Sequence, residues 1–371
     1  MTHTAHHRIL IATPRFFPYM GGVENHVFQV ARRLVQAGCH VTVASSNPER
    51  KMPQTEVLDG VEVKRFASYP RNSDWYFAPG VYRLTAEGGF DVIHIQNYLT
   101  FISPLAMAGA LRGRVPYVVT FHGGGHTSTM RNRVRGLQRS LLRPFLAKAN
   151  RLIATARFEI PLFKKALGVP EDRFAYIPNG CDIHIKPVDV QTQQALILSV
   201  GRLEGYKGHH RVISAMPYVL RQKPNARLRV VGDGPAQAEL KSLAERLGVA
   251  EAVDIRGVPP TDRQKMAETL ASASLITLLS EYETHPMAML EAIALGRSVL
   301  VADTAGLSEL ATDGLARAIP ISSSPSEVGA AIVRQLDHPV RPKQVQLPTW
   351  DDCVAGLLQV YADVKAQGSL A

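Results

Sequence analysis

The sequence predicts an α/β protein built from two doubly wound, Rossmann-like domains. Three observations lead there. Short β-rich runs alternate with amphipathic helical segments, the pattern of parallel sheets wound by right-handed crossovers. The alternation breaks at a polar, aperiodic stretch, CDIHIKPVDVQTQQ, and restarts at ALILSVGR. A length of 371 residues, 46% of them hydrophobic, supplies enough apolar side chain for two cores.

The first domain, residues 1–182, opens with the buried-strand pattern RILIAT, then PRFFPYMGG and a helix over 23–36. Val23, Val27, Val30, Ala31 and Leu34 fall on one face of that helix, and Gly38 ends it. CHVTVAS, GVEVKRF, FDVIHIQ, VPYVVTFH, RLIATA and FAYIPNG read as further strands, several with helical segments between them. Residues 183–195 are the expected linker. In the second domain, 196–345, the strand ALILSVGR is followed by a helix over 209–221, the strand ARLRVVG, a helix over 236–247, the strand AVDIRGV and a helix over 261–272. SLITLLS, a helix over 286–295, the strand SVLVAD and a helix near 327–336 follow. Pro286 suits a first helical position, where a missing N–H is no loss, and Gly296 suits the left-handed residue past a helix end. The tail, 346–371, carries a last helical segment. Doubly wound sheets bind ligands at the carboxyl ends of their strands, so two such domains set face to face enclose a cleft.

No apolar run reaches the ~18–20 residues of a membrane span, and MTHTAHHR lacks the apolar stretch of a secretory signal. A cytoplasmic protein, soluble or peripheral at the inner face of the membrane, is expected. Cys39, Cys181 and Cys353 are too scattered for a disulfide framework or a zinc site. The net charge of +10 is unevenly held: residues 1–182 carry 23 Lys and Arg against 12 Asp and Glu, and the remainder 19 against 20. Residues 92–158 contain ten basic residues and no acid, which favours an anionic partner for the first domain.

Candidate chemistry gathers at the predicted carboxyl ends of strands. Glu283 and Glu291 stand eight residues apart in ETHPMAMLE, one before the helix and one inside it. Eight helical residues span roughly 12 Å, so the two carboxylates can grip an extended ligand at two points, with a helix N-terminus between them for an anion. Arg202 and Lys207, in VGRLEGYKG, either converge on a diphosphate or decorate a solvated loop. Gly21 and Gly22 open a helix after the first strand, as a phosphate site does and as a plain turn also does. This is no G-x-G-x-x-G fingerprint, and no acid closes CHVTVASS, which argues against a nicotinamide-dependent dehydrogenase. His122 follows a strand and precedes three glycines, either as a ligand-facing or a structural residue. No Asp-x-Asp is present, so a metal clamp for phosphates is not expected.

GGVENH, TFHGG, IPNG, VGRLEGYKG, VVGDGP, ETHPMAMLEAIALG and the tail WDDCVAGLLQVY occur in one order over nearly the whole chain. Together they resemble the retaining glycosyltransferases of GT-B fold, family 4. The resemblance implies transfer of a sugar from a nucleotide-sugar donor, UDP- or GDP-linked, to a sugar, lipid-linked or small-molecule acceptor, with no cofactor and no metal. It implies that Arg202 and Lys207 bind the diphosphate, that Gly22, beside Gly21, contacts phosphate, and that Glu291 binds the ribose. Glu283 would lie beside the donor sugar, His122 near the reacting carbon, and the backbone of Gly257 and Val258 against the base. The tail helix, from Trp350 to Tyr361, would cross back onto the first domain.

Where many members have Phe-Gly, this chain has Thr284-His285-Pro286. Pro286 has no N–H to donate, so phosphate contacts pass to Met287 or its neighbours, and His285 is placed to reach the donor sugar. Two other classes stand beside this one. An epimerase-like enzyme of similar architecture would process a nucleotide sugar without an acceptor. A non-catalytic nucleic-acid-binding protein would use the basic half, but no aromatic-basic interleaving is present and nucleic acid is not expected as a partner. Finally, Arg131–Arg151 spaces Leu137, Leu141, Leu142 and Phe145 among Arg135, Arg139, Arg143 and Lys148. That is the pattern of a basic amphipathic helix lying on an anionic membrane surface, or of leucines packed on the sheet with solvated arginines, and Pro144 is expected to weaken the helix.

Overall fold

The computed structural model describes residues 7–19, 21–123, 129–181, 192–259, 262–341 and 346–368, excluding the side chains of 129–135. The chain divides into two compact units, 1–180 with 348–371, and 181–347. Most of the expected linker lies outside the described residues.

The first unit contains β1 (Arg8–Thr13), α1 (Gly22–Gln36), β2 (His40–Asn47), β3 (Thr55–Leu58), β4 (Val61–Ala67), α2 (Pro79–Glu87) and β5 (Val92–Gln96). It continues with α3 (Ile102–Gly113), β6 (Tyr117–Thr120), α4 (Thr129–Lys148), β7 (Arg151–Ala154), α5 (Glu159–Leu167) and β8 (Phe174–Tyr176). The sheet runs β3-β4-β2-β1-β5-β6-β7-β8. Every pairing is parallel except β3 with β4, an antiparallel edge that the periodicity did not reveal. Strand alternation sorts the side chains of β5: Ile93 and Ile95 enter a core with Met107, Leu146 and Phe163, while His94 and Gln96 share the other face.

The second unit contains β9 (Leu196–Val200), α6 (His209–Gln222), β10 (Arg227–Val231), α7 (Gln237–Arg246), β11 (Val253–Arg256), α8 (Arg263–Ala271) and β12 (Leu275–Leu278). Next come α9 (Met287–Ala294), β13 (Ser298–Ala302), α10 (Ala305–Thr312), β14 (Arg317–Ile319) and α11 (Pro325–Asp337). The sheet order is β11-β10-β9-β12-β13-β14, all parallel. Its two faces bury separate cores: Ile197, Val230 and Leu300 on one, Leu198, Val231 and Val301 on the other. The short α10 and β14 escaped the sequence reading because neither is long enough to show a period. Ser324 and Glu327 close a capping box at the start of α11, with Pro325 in the first turn.

The last helix, α12 (Trp350–Gly368), belongs to the first unit. Its Trp350, Leu357 and Tyr361 are buried, and Arg33 of α1 donates from Nε to Asp351 Oδ1 at 2.9 Å. Gly180 lets the chain pass under it, since a Cβ there would stand 2.1 Å from the Trp350 nitrogen.

The expectations for Arg131–Arg151 need correction. The helix α4 runs through Pro144 to Lys148, and its leucines divide. Leu142 and Leu146 are buried and Phe145 packs against them, whereas Leu137 and Leu141 are 64% and 67% exposed. Arg143 donates to the Leu167 carbonyl at 2.8 Å, so it closes the end of α5 and is not simply solvated. Arg131 and Arg135 have side chains outside the described residues.

Candidate active site

In the second unit, counting strands along the chain, the order 3-2-1-4-5-6 reverses between β9 and β12. Crossovers leave this junction by opposite faces, so the loops following β9 and β12 part there and open a crevice. Arg202 and Lys207 lie in the first loop, Glu283 in the second. Gly208 holds the loops together: its φ is +77°, and a Cβ would stand 1.9 Å from the Leu279 carbonyl oxygen. The Glu281 N–H adds a bond to the Tyr206 carbonyl at 2.8 Å.

Lys207 and Glu283 meet in this crevice, Nζ to Oε1 at 2.6 Å, with side chains only 14% and 13% exposed. The Gly306 N–H, from the start of α10, donates to the Glu283 carbonyl at 2.9 Å and fixes its backbone. Arg202 is paired separately, with Glu204 at 2.6 Å, and also donates to the Tyr206 hydroxyl at 2.9 Å. Lys207 Nζ stands 5.3 Å over the ring of the same tyrosine, so Tyr206 spaces the two cations. Beneath them His209 is buried, which pushes its pKa down to about 4. As a neutral ring it takes the Ser199 hydroxyl on Nδ1 at 2.8 Å and donates from Nε2 to the Arg202 carbonyl at 3.2 Å. Neither Tyr206 nor His209 was singled out from sequence, although both lie inside or beside the VGRLEGYKG motif.

The helix carrying Glu291 begins at Met287, one residue later than expected, because Pro286 has ψ of 79° and caps it from outside. Gly296 is left-handed as expected, with φ of +69°. The Met287 N–H donates to the His285 carbonyl at 3.0 Å. Glu291, nearly buried, is ion-paired with Arg263 at the start of α8. The structure therefore joins Lys207 to Glu283 and holds Glu291 and Arg202 in pairs of their own. Gly257 and Val258 follow β11 at its carboxyl end, and Gly257 lies so close to the Asp233 carboxylate that a Cβ would be 2.4 Å from it.

In the first unit Gly21 caps α1 and Gly22 is its first residue, exposed, with open space where a Cβ would be. His122 is half-buried after β6 and forms one end of a polar chain. Its Nε2 lies 2.6 Å from Gln96 Oε1, and Gln96 Nε2 lies 3.1 Å from His94 Nε2. Thr120 Oγ1 lies 2.6 Å from the same His94 nitrogen, and Tyr361 of α12 lies 2.6 Å from His94 Nδ1. Complete burial pushes the His94 pKa down to about 3, so this ring is neutral and holds one proton. With the Gln96 amide nitrogen and the Thr120 hydroxyl donating to Nε2, that proton is on Nδ1 and donates to Tyr361. Gln96 Oε1 then accepts from His122 Nε2–H, which leaves His122 Nδ1 as the proton acceptor of the neutral ring. His26 packs edge-on against His122 at 4.7 Å and donates from Nδ1 to Asn179 at 2.7 Å.

The backbone of Gly123, next to His122, is held by Glu159, at the first position of α5. Its carboxyl accepts from the N–H groups of Gly123, Thr155 and Ala156 and from the Thr155 hydroxyl, at 2.9–3.2 Å. Burial nonetheless outweighs these donors and pushes its pKa up to about 7.

Comparison with known proteins agrees with this architecture. Residues 20–184 match the Glycosyltransferase Family 4 model, and residues 182–346 match the model for Glycosyl transferases group 1. A D-inositol 3-phosphate glycosyltransferase of Acidothermus cellulolyticus is 28% identical, over 94% of this chain and 86% of that protein. Among solved structures, sucrose-phosphate synthase from Thermosynechococcus elongatus superposes with a TM-score of 0.74 at 19% identity, over 98% of both chains. Anabaena HepE, in complex with UDP and glucose, gives 0.70 at 19% identity, over 98% of this chain and 95% of its own. Two Rossmann-like sheets with these motifs define a glycosyltransferase of the GT-B class, an enzyme that moves a sugar from a nucleotide sugar to an acceptor. The chain belongs to glycosyltransferase family 4.

Two outcomes follow from the first-unit geometry. Gln96→Leu should loosen the His122 tautomer, and Tyr361→Phe should do so to a smaller extent. Nitrogen NMR of the labelled ring should show Nε2–H in the parent and a mixture in Gln96→Leu; an unchanged spectrum would contradict the assigned direction of the polar chain. For Glu159, the folded pKa of about 7 lies above the ordinary 4.5. Its contribution to stability is therefore complete below the ordinary value, falls as pH rises from about 4.5 to about 7, and is constant above. Melting curves over that window should fall less steeply for Glu159→Gln than for the parent, and parallel curves would contradict the assignment.

Proposed function

We propose that the enzyme is a retaining, metal-independent hexosyltransferase whose donor is a UDP- or GDP-linked sugar held by the second unit. The observation that supports this best is the Lys207–Glu283 pair at the point where the strand order reverses. A diphosphate entering that crevice offers Lys207 a doubly charged partner in place of Glu283. The exchange releases the carboxylate toward the donor sugar, where it orients a hydroxyl. Arg202 joins Lys207 on the leaving diphosphate, so cationic side chains supply the charge stabilisation that a metal supplies elsewhere. Glu291 turns from Arg263 to the ribose hydroxyls, and the base lies against the Gly257–Val258 backbone. UDP is the nucleotide bound in HepE.

The acceptor hydroxyl attacks from the face that the diphosphate leaves, and the departing phosphate oxygen takes its proton, which retains the anomeric configuration. His122, with Nδ1 as acceptor, is assigned to the donor sugar or the incoming hydroxyl. No helix among the described residues is long and apolar enough to cross a membrane. Three buried free thiols suit a reducing, cytoplasmic compartment. The exposed Leu137 and Leu141, on a helix whose sequence is rich in arginine, support peripheral contact with an anionic membrane face.

Replacing Arg202 or Lys207 by Ala should cost about 2.7–4 kcal/mol of transition-state stabilisation, hence ~10²–10³ in turnover, with the fold intact. Glu291→Ala should chiefly raise the donor KM, and Glu283→Ala should lower kcat; steady-state kinetics with UDP- and GDP-sugars would expose interchanged roles. Vesicles containing anionic lipid should retain the protein at low salt and release it at high salt, and Leu137→Asp with Leu141→Asp should abolish retention. Failure to sediment at either salt would leave a soluble acceptor.

A further inference from the structure

The first unit contains a second built site. A cavity of about 350 Å³ is lined by Arg15, Pro48, Glu49, Lys51, Arg71, Asn72 and Ser73. Its three walls follow the carboxyl ends of β1, β2 and β4, the side of a doubly wound sheet on which ligands bind. These walls are tied to one another. The Ser46 hydroxyl donates to the Pro14 carbonyl at 2.6 Å, and the Asn72 N–H donates to the Pro48 carbonyl at 3.2 Å. Asn47 donates its amide to the Met52 carbonyl at 2.8 Å, and the buried Arg65 reaches the carbonyls of both Phe17 and Pro53.

Its cations outnumber its acids, and one of them, Arg15, is held in place. The Arg15 guanidinium lies over the rings of Tyr19 and Tyr76, 5.2 and 5.3 Å from their centroids, and shares the Asp74 carboxylate with the Tyr76 hydroxyl. Its Nε is buried without a hydrogen-bond partner. Glu49 is paired with Lys51 at 3.0 Å, so Arg71, bonded among the described residues only to the Glu49 carbonyl at 3.4 Å, brings a positive charge that neither acid balances. An oxyanion supplies what this arrangement lacks, a charge and acceptors for the guanidinium of Arg71.

We propose that this cavity binds a phosphate-type oxyanion carried by the acceptor. The cavity stands on its own geometry, and only its assignment to the acceptor rests on the transfer reading above. The acceptor is then a phosphorylated sugar or polyol, with its phosphate among Arg15, Lys51 and Arg71 and its reacting hydroxyl nearer the β1–β5 junction. The phosphate is a free monoester or the headgroup diester of a lipid, and the two sources are separable by experiment.

Calorimetric titration of the full chain with inorganic phosphate, against chloride at equal ionic strength, should show binding that weakens about tenfold or more in Arg71→Ala and in Lys51→Ala. UDP binding, measured on the same samples, should be unchanged in both, which shows that they are folded. Its absence from the parent would undo the donor reading without touching the cavity. With donor supplied, phosphorylated members of matched sugar and polyol pairs should be glycosylated in preference to unphosphorylated ones. Their KM should rise about 10- to 100-fold in Arg71→Ala, while donor hydrolysis stays constant. Retention by phosphatidylinositol vesicles, but not by phosphatidylcholine vesicles, that is lost in both variants would identify a lipid-borne phosphate. Equal phosphate binding in parent and variants, or no binding in the parent, would overturn the site, and preference for unphosphorylated acceptors would overturn its assignment to the acceptor.

Discussion

The reversal of strand order beside β9 is the constraint on which the second unit's chemistry depends. Parallel strands joined by right-handed crossovers must send helices to one face on one side of this strand and to the other face on the opposite side. No helix can then cover the junction of β9 and β12, and the two loops that emerge there face each other across bare backbone. That circumstance brings Lys207 and Glu283, 76 residues apart in sequence, within 2.6 Å. Gly208 lets one loop sit directly on the other, and His209 supports the Arg202 carbonyl from below. A sheet in simple sequential order would have separated these groups.

The elements of this fold were legible in proportion to their length and periodicity. α1 shows its apolar face at Val27, Val30, Ala31 and Leu34, all buried, and α11 announces its start with Ser-Pro-x-Glu. The antiparallel β3 (TEVL) and β14 (RAI) lack the longer apolar run that marks the comparably short β6 and β7. In α4 the sequence placed the helix but misjudged its faces. A basic amphipathic pattern fixes the period without fixing which leucines meet the core, and the turn that buries Leu142 and Leu146 leaves Leu137 and Leu141 outside. Pro144 was read as a threat to the helix, yet the helix continues through it.

Site residues follow a related rule. Arg202, Lys207, Glu283 and Glu291 stand in compact motifs at strand ends, where the type of side chain and its position already suggest the chemistry. The supports of His122 do not. Gln96 and Thr120 become neighbours only through the parallel register of β5 and β6, and Tyr361 reaches His94 across 267 residues of chain. Strand alternation explains why His94 and Gln96 share a face, but nothing local indicates that α12 covers that face. Arg33–Asp351 and Gly180 beneath Trp350 seat the helix there. The C-terminal helix therefore does more than complete a core, since its tyrosine hydroxyl ends the hydrogen-bond chain that decides where the protons of His94 and His122 lie.

The charges proposed to meet the donor share one more property: each is already half of an ion pair. Lys207 has Glu283, Arg202 has Glu204, and Glu291 has Arg263. Pairing spares the sheltered groups the cost of standing charged and alone in partly dehydrated surroundings. It also means that a donor enters by exchange, and that its affinity is the difference between two sets of contacts. For Lys207 and Glu283 the consequence is coupling. Removing the lysine takes a cation from the diphosphate and also leaves a carboxylate that repels the incoming phosphates, so the two side chains contribute as one unit and the effects of their substitutions are not additive. A pair of this kind is better regarded as a single device with two settings, one closed on itself and one opened between diphosphate and sugar.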